Sequence, residues 1–189
     1  MFKSLYLVLY VCLLFVTVGF SQRISAGECP DVTVKKDFDV SKYVGQWYEF
    51  EKNPAFFENG LKCNWAIYRN EGDYISVNNS GVNVNTGVRT SINGKATIPD
   101  KNVPAKLKVQ FDTSPKPGNY WVLDTDYEKY SVVYACSSIE HMFKAEFLWI
   151  LSRTPVLDDK TKSVAYDVMD RNSVSREGLF PTVQDCYGH

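Results

Sequence analysis

Cysteine and histidine have the most reactive side chains in this 189-residue sequence, and neither type is clustered. The five cysteines show no CxxC or CxxH spacing and stand at Cys12, Cys29, Cys63, Cys136 and Cys186. A zinc site needs Cys and His ligands grouped in short motifs, so we expect no metal site. The motifs GxSxG and HExxH are missing, and the two histidines, His141 and His189, are far apart. Serine-hydrolase and metalloprotease chemistry therefore lack their usual residues.

The first residues have the features of a secretory signal. Lys3 supplies a positive charge, residues 5–18 form an apolar run, and Gly19 and Ser21 are small residues that suit cleavage after Ser21. This run falls short of the roughly 20 residues that span a bilayer, which argues against a signal anchor. We expect residues 1–21 to be a signal peptide and residues 22–189 to form one secreted, extracellular domain.

Removal of the signal takes Cys12 away and leaves four cysteines in an oxidising compartment. Two disulfides are the simplest expectation, and four cysteines allow three pairings. No free thiol then remains to act as a nucleophile.

Composition limits the class of partner. The net charge is -1, and nucleic-acid binding normally needs a basic excess, so no nucleic-acid partner is expected. Aromatic residues make up 14% of the chain, with 4 Trp, 12 Tyr and 11 Phe. That density requires a large core or a lined cavity.

About nine short runs of alternating apolar residues predict strands, at a spacing typical of an antiparallel sandwich or closed barrel. The runs are Trp47–Glu51, Cys63–Tyr68, Tyr74–Val77, Val88–Ile92, Lys95–Ile98, Leu107–Phe111, Tyr120–Leu123, Tyr130–Ala135 and Phe147–Leu151. Two segments differ from this pattern. Residues 160–170 place apolar residues on one helical face, and residues 38–43 suit a short helical turn.

Three motifs in order carry a resemblance to a known family. They are Gly45-Gln46-Trp47, then Asp124-Thr125-Asp126-Tyr127, then Arg153. With the signal segment and the trailing helix, they make the chain resemble the lipocalins, and in particular the group of apolipoprotein D, Lazarillo and the insect bilin-binding proteins. The resemblance implies an all-β fold with one helix: an eight-stranded antiparallel up-and-down barrel with the C-terminal helix packed outside.

The motif residues are expected to be structural. Trp47 is large enough to plug one end of a barrel, and Arg153 can lie over its ring as a cation–π partner. Asp126 and Tyr127 suit a tight corner, and Gly45 begins the first strand. The resemblance also implies the disulfides Cys29–Cys136 and Cys63–Cys186.

The resemblance places Tyr68, Phe111 and Trp149 in a cavity. Because side chains alternate between the two faces of a strand, further inward positions follow. The inward candidates for ligand contact are Asn79, Ile92, Leu107, Val109, Tyr120, Val122, Val133, Ala135 and Phe147, joined by Ala66, Val77 and Ala145. These residues could instead fill a core, but the three alanines favour a cavity. The set carries no charge, so we expect a ligand's charged end to lie at the mouth, near Lys52, Lys62 or Lys116.

Two surface features follow from the same alternation. Asn78 begins an N-x-S sequon and faces outward when Asn79 faces inward, so it is the expected glycosylation site. Phe56 and Phe57 stand in a loop at the mouth. They form a lid, an apolar patch for transient membrane or lipoprotein contact, or a loop packed on its own barrel.

The function expected from this resemblance is that of a secreted carrier for a small hydrophobic ligand such as the bilin biliverdin. No cofactor is required, and a bilin would be bound non-covalently because no cysteine is free. The alternative is an apolipoprotein D-like binder of steroids, fatty acids or other lipids with a role in stress or lipid handling. Isomerase-type lipocalins use a free cysteine, and none is expected to be free here, so we expect no enzyme. The remaining alternative is an adhesion module of β-sandwich type, which would differ by having no cavity. We expect a monomer or weak homo-oligomer.

Overall fold

The computed structural model describes residues 23–186, so the expected signal segment lies outside the described residues. The strands are β1 Arg23–Ala26, β2 Gly45–Lys52, β3 Leu61–Asn70, β4 Ile75–Asn83, β5 Arg89–Thr97, β6 Lys106–Phe111, β7 Gly118–Thr125, β8 Tyr130–Ile139, β9 Phe143–Ser152 and β10 Phe180–Pro181. The helices are α1 Val40–Tyr43 and α2 Asp159–Arg171, and a 3₁₀ turn spans Phe56–Glu58.

Strands β2 to β9 form a closed antiparallel barrel. Each strand pairs with the next one in the sequence, and β9 pairs back to β2, where Tyr48 lies opposite Ser152 and Lys52 lies opposite Trp149. Strand β1 pairs with the first part of β9, and β10 pairs with the end of β2. Both ends of the described chain therefore complete the barrel wall, and the predicted eight-stranded fold is confirmed.

One strand boundary was predicted wrongly. The runs Val88–Ile92 and Lys95–Ile98 belong to a single strand, β5. Gly94 lies inside it because its neighbours leave no room for a side chain: an added Cβ would lie 2.7 Å from the carbonyl oxygen of Gln110 and 2.8 Å from Cδ1 of Phe111. The glycine marks a close approach between β5 and β6, and the strand continues through it.

Helix α2 packs on the outside of the barrel, as expected, and is one residue longer at each end than residues 160–170. Its N-cap is Asp158, whose side chain accepts a hydrogen bond from the backbone N–H of Thr161. Its apolar face belongs to an outer core with strands β8 and β9, made by Ala165, Val168, Met169, Tyr134, Leu148 and Ile150. Within the described part of the chain, no helix combines the length and apolar character that a membrane crossing requires.

The end of the barrel next to α1 is closed by Trp47, which has no exposed surface. The guanidinium of Arg153 lies 3.8 Å from the centre of the Trp47 ring, and its Nη1 donates to the carbonyl of Gln46 at 2.8 Å. An added Cβ on Gly45, which has φ +98°, would approach Nη1 of Arg153 to 3.3 Å. The residues Gly45, Trp47 and Arg153 thus form one packed unit at this end.

The corner between β7 and β8 is held by side-chain hydrogen bonds. One oxygen of Asp126 accepts from the backbone N–H groups of Glu128, Lys129 and Tyr130. Tyr127 has a left-handed φ of 68°, and its carbonyl accepts from Nε of Arg153 at 2.9 Å. The corner therefore positions Arg153 over Trp47.

Two disulfides tie segments outside the barrel to its wall. Cys29 is bonded to Cys136 on β8, and Cys63 on β3 is bonded to Cys186. This is the pairing that the resemblance implies.

Candidate functional site

The inward side chains differ in burial. Four positions expected to contact a ligand are buried in the inner core with Trp47: Leu107, Val109, Val122 and Val133. Ala135 is also buried. The inward residues Asn79, Ile92, Phe111, Phe147 and Trp149 are only half-buried. The buried set is therefore a packed core, and the half-buried set is the accessible half of the inner wall; the two sets meet where Val133 lies opposite Trp149.

Aromatic rings line one side of this accessible half. Phe147 and Trp149 are two residues apart on β9, and their rings stack with centroids 5.7 Å apart. Phe57 reaches the same stack from the β2–β3 loop, 5.6 Å from Phe147, and Phe56 packs edge-on against Phe57 at 5.2 Å. Phe56 and Phe57 remain 55% and 48% exposed, so the loop both contacts the inner wall and presents an apolar surface.

A chain of hydroxyl groups lies deeper in the barrel. The hydroxyl of Tyr120 is 2.9 Å from those of Tyr68 and Tyr43, and the Tyr43 hydroxyl is 3.0 Å from that of Ser131. Burial raises the pKa of Tyr43 to about 12 and raises the pKa of Tyr68 and Tyr120 above its usual range. All four groups are protonated at neutral pH. Four O–H donors make three hydrogen bonds, so one O–H remains to donate elsewhere.

A lysine and two glutamates lie inside the barrel near the mouth, contrary to the expectation of a lumen without Lys, Arg, Asp or Glu. Lys52 is 5% exposed, and its Nζ is 2.9 Å from Oε1 of Glu49 and 2.6 Å from Oε2 of Glu58. Glu49 lies opposite Leu151 of the inner core, and Lys52 lies opposite Trp149. We call Glu49, Lys52 and Glu58 the lumen charge cluster.

Sequence reasoning missed the lumen charge cluster because it assigned no lumen positions to β2. The register of β2 against β9 shifts between Glu49 and Glu51, so simple alternation fails there. Glu51 faces helix α2, where it accepts from Tyr166 at 2.8 Å and pairs with Lys162 at 2.6 Å. The shift returns the next residue, Lys52, to the inner face. The signal in the sequence was that Glu49 is two residues after Trp47, so that alternation places it on the same inner face.

The charges of the lumen charge cluster do not balance when every group is ionised. Burial raises the pKa of Glu58, and the nearby charge of Glu49 raises it further. Burial opposes the charged form of Lys52, but the two carboxylates outweigh it and raise the pKa of that ammonium. A proton on Glu58 therefore accompanies the closed position of the β2–β3 loop.

Polar groups from two other elements support Glu49. Its Oε1 accepts from Nδ2 of Asn64 at 3.0 Å and from the hydroxyl of Thr182 at 2.6 Å. Asn64 stands at a register shift in β3, and Thr182 follows β10. The C-terminal segment, tied by the disulfide of Cys63 and Cys186, thus helps to hold the cluster in place.

The three lysines expected at the mouth have different positions. Lys52 is buried in the lumen charge cluster, which corrects its expected place as a free cation. Lys62 pairs with Asp185 at 2.8 Å, and Lys116 is exposed in the β6–β7 loop. Asp185 also lies near Cys63 and Cys186, but a disulfide offers no thiolate for a metal.

Asn78 and Asn79 are neighbours on β4 with different surroundings. Nδ2 of Asn78 donates to Asn93 at 2.8 Å, and these two residues lie opposite each other on the outer face. Asn79 lies opposite Ala66 and Ile92, and its Oδ1 is buried without a hydrogen-bond partner among the described residues. The sequon thus has an outward asparagine, and its glycosylation stays a prediction.

Comparison with known proteins identifies relatives of this chain in sequence and in structure. Residues 38–177 match the family model described as a lipocalin-like domain. The chain is 37% identical to apolipoprotein D of Mus musculus over 170 residues, 89% of this chain and 88% of that protein. It is 37% identical to insecticyanin-A of Manduca sexta over 152 residues, 76% of this chain and 78% of that protein. The solved structure of Manduca sexta insecticyanin matches with a TM-score of 0.75 at 32% identity, covering 85% of this chain and 88% of insecticyanin.

Proposed function

This chain belongs to the lipocalin family, and from that premise we propose that it is a secreted carrier that holds a bilin such as biliverdin inside its barrel. At the level of the family, it is a carrier of a small hydrophobic ligand. The observation that supports the bilin is the half-buried, stacked pair Phe147 and Trp149 on the inner wall. A flat conjugated molecule can continue such a stack.

The free energy of binding would come mainly from burial of apolar surface, at about 25 cal/mol per Å². Val122 and Val133 have no exposed surface, so the part of the inner wall that they form offers no contact to a ligand. Oδ1 of Asn79, which has no hydrogen-bond partner among the described residues, provides an acceptor for orientation. A ligand would therefore lie between Trp149 and the mouth.

A bilin in this barrel would be bound non-covalently. Within residues 23–186, all four cysteines are in disulfides, so none can form a thioether with a vinyl group. The same two disulfides suit an oxidising extracellular compartment, which supports secretion.

The second candidate is a carrier of steroids, fatty acids or other lipids that contacts a membrane or lipoprotein. It is favoured by the apolar side chains exposed on the mouth loops and nearby strand ends, which include Phe56, Phe57, Val84, Val88, Met142 and Phe143. Exposed apolar residues around a lumen suit transfer of a ligand from a lipid surface.

A competition experiment separates the two candidates. Biliverdin is titrated into the purified protein and followed by its absorbance, with progesterone and decanoic acid as competitors. We expect biliverdin to bind at about micromolar concentration or below and acid–acetone to extract all the pigment. Pigment retained by the denatured chain would contradict non-covalent binding. Failure of biliverdin to bind, with binding of the steroid or fatty acid, would favour the second candidate.

A further inference from the structure

The lumen charge cluster places a lysine and two glutamates beside the wall against which a ligand would lie. Lys52 lies directly opposite Trp149, and Glu58 enters from the β2–β3 loop to within 2.6 Å of Lys52. Both glutamates also act electrostatically on the hydroxyl of Tyr68, which faces the lumen. The cluster therefore borders the accessible half of the barrel and is not a surface ion pair.

The hydrogen bonds of the cluster leave acceptors open. Lys52, Asn64 and Thr182 all donate to the same oxygen of Glu49, Oε1. The hydrogen bonds described for the Glu49 side chain all go to this one oxygen. Oδ1 of Asn79, on the same inner face, is a further acceptor without a donor. A ligand that brings N–H or O–H donors would satisfy these groups.

The charge of the cluster also favours a ligand that brings a hydrogen-bond donor. Lys52 already contacts both glutamates, and with the proton on Glu58 its charge is neutralised by the Glu49 carboxylate. A ligand carboxylate would bring a second negative charge beside Glu49. A ligand ammonium could instead replace the proton on Glu58 and balance the second carboxylate. Such differences in electrostatic interaction energy are large where water is partly excluded.

We propose that the lumen charge cluster selects ligands by the charge of their polar end, binding a protonated amine more tightly than a hydroxyl and a hydroxyl more tightly than a carboxylate. This proposal rests on the lumen carrier function. It adds to that function by specifying which polar end group of a ligand the barrel interior accepts. For a bilin, it requires both propionates to remain at the mouth, away from Lys52.

The test uses three ligands that share one apolar body: decylamine, decan-1-ol and decanoate, each below its micellar concentration at pH 7. Their affinities are measured by displacement of the neutral fluorescent probe N-phenyl-1-naphthylamine from the wild-type protein. We expect decylamine to bind about tenfold or more tighter than decanoate, with decanol between them. This series needs no variant, so protein folding does not limit it.

A variant of Glu58 tests whether the lumen charge cluster causes this preference. Glu58→Gln keeps the shape of the side chain but has no proton that an incoming ammonium could replace, and we expect it to reduce the preference for decylamine over decanoate by about tenfold. Glu128→Gln makes the same substitution in an exposed loop at the closed end and should leave the preference unchanged.

The outcomes separate this inference from the carrier function. Equal binding of the three ligands, or a preference that Glu58→Gln leaves intact, would overturn charge selection while the carrier function stands. Absence of any binding, including that of the probe, would overturn the carrier function and charge selection with it.

Discussion

Nζ of Lys52 donates to Oε2 of Glu58 at 2.6 Å, and this buried hydrogen bond joins the β2–β3 loop to the inside of the barrel wall. Phe57, next to Glu58, packs on Phe147 in the same region. The loop is thus held over the mouth by one charged and one aromatic contact. The position of this loop and the electrostatics of the lumen depend on the same residues.

Removal of the ammonium should destabilise the protein. Lys52→Met leaves the buried carboxylate of Glu49 without a cation, and we expect a loss of about 3–5 kcal/mol in the free energy of unfolding at pH 7. Urea denaturation measures it. Lys42→Met, which removes an exposed lysine 3.7 Å from Asp39, should change stability by less than about 0.5 kcal/mol. Equal effects of the two variants would contradict a buried role for Lys52.

The position of the β2–β3 loop should depend on pH. The closed loop raises the pKa of Glu58 above its ordinary value of 4.5, so closure takes up a proton. The contribution of Glu58 to closure is fully present below pH 4.5 and is lost as pH rises through the raised pKa. Hydrogen exchange of residues 54–60, corrected for intrinsic rates, should show protection falling between pH 5 and pH 9. Glu58→Gln should flatten this dependence; an unchanged profile in that variant would assign it to another group.

The two tryptophans of the barrel interior, Trp47 and Trp149, should respond differently to truncation. Trp149→Ala should weaken ligand binding and leave the fold intact, because it removes part of the accessible wall. Trp47→Ala should cost about 3–5 kcal/mol of stability, because it opens a cavity in the closed end. Trp65→Ala is the control for binding, since Trp65 packs outside under Arg89 at 4.6 Å. Thermal melts and ligand titrations distinguish these effects, and equal loss of stability at Trp47 and Trp149 would be contrary to this assignment.

Gly94 should not tolerate a methyl group. Gly94→Ala places a Cβ against the β6 backbone and the Phe111 ring, and we expect a loss of about 1–3 kcal/mol. Gly118→Ala is the matched control because an added Cβ there meets nothing within 4 Å. Denaturant midpoints of the two variants provide the comparison, and a neutral Gly94→Ala would mean that β5 and β6 are further apart than described.

The sequence predicts which face of a strand a residue occupies better than it predicts how buried the residue is on that face. Alternation placed Val122, Val133 and Trp149 on the inner face, but only Trp149 is accessible there. Burial depends on how the side chains of all the strands pack together, which is a property of the whole barrel. A local irregularity in a strand is also not predicted by the alternation of side chains. The register shift after Glu49 places Lys52 on the inner face, and no apolar periodicity indicates that shift.

The position of the ligand is tested most directly by the indole N–H signals of the four tryptophans in a ¹⁵N NMR titration with biliverdin. Trp149 lines the lumen, Trp47 closes the barrel, and Trp65 and Trp121 pack on its outside. We predict a large saturable shift of the Trp149 signal, with the signals of Trp65 and Trp121 unchanged. A shift at Trp65 or Trp121 with Trp149 unmoved would place the ligand outside the barrel and contradict the lumen carrier function.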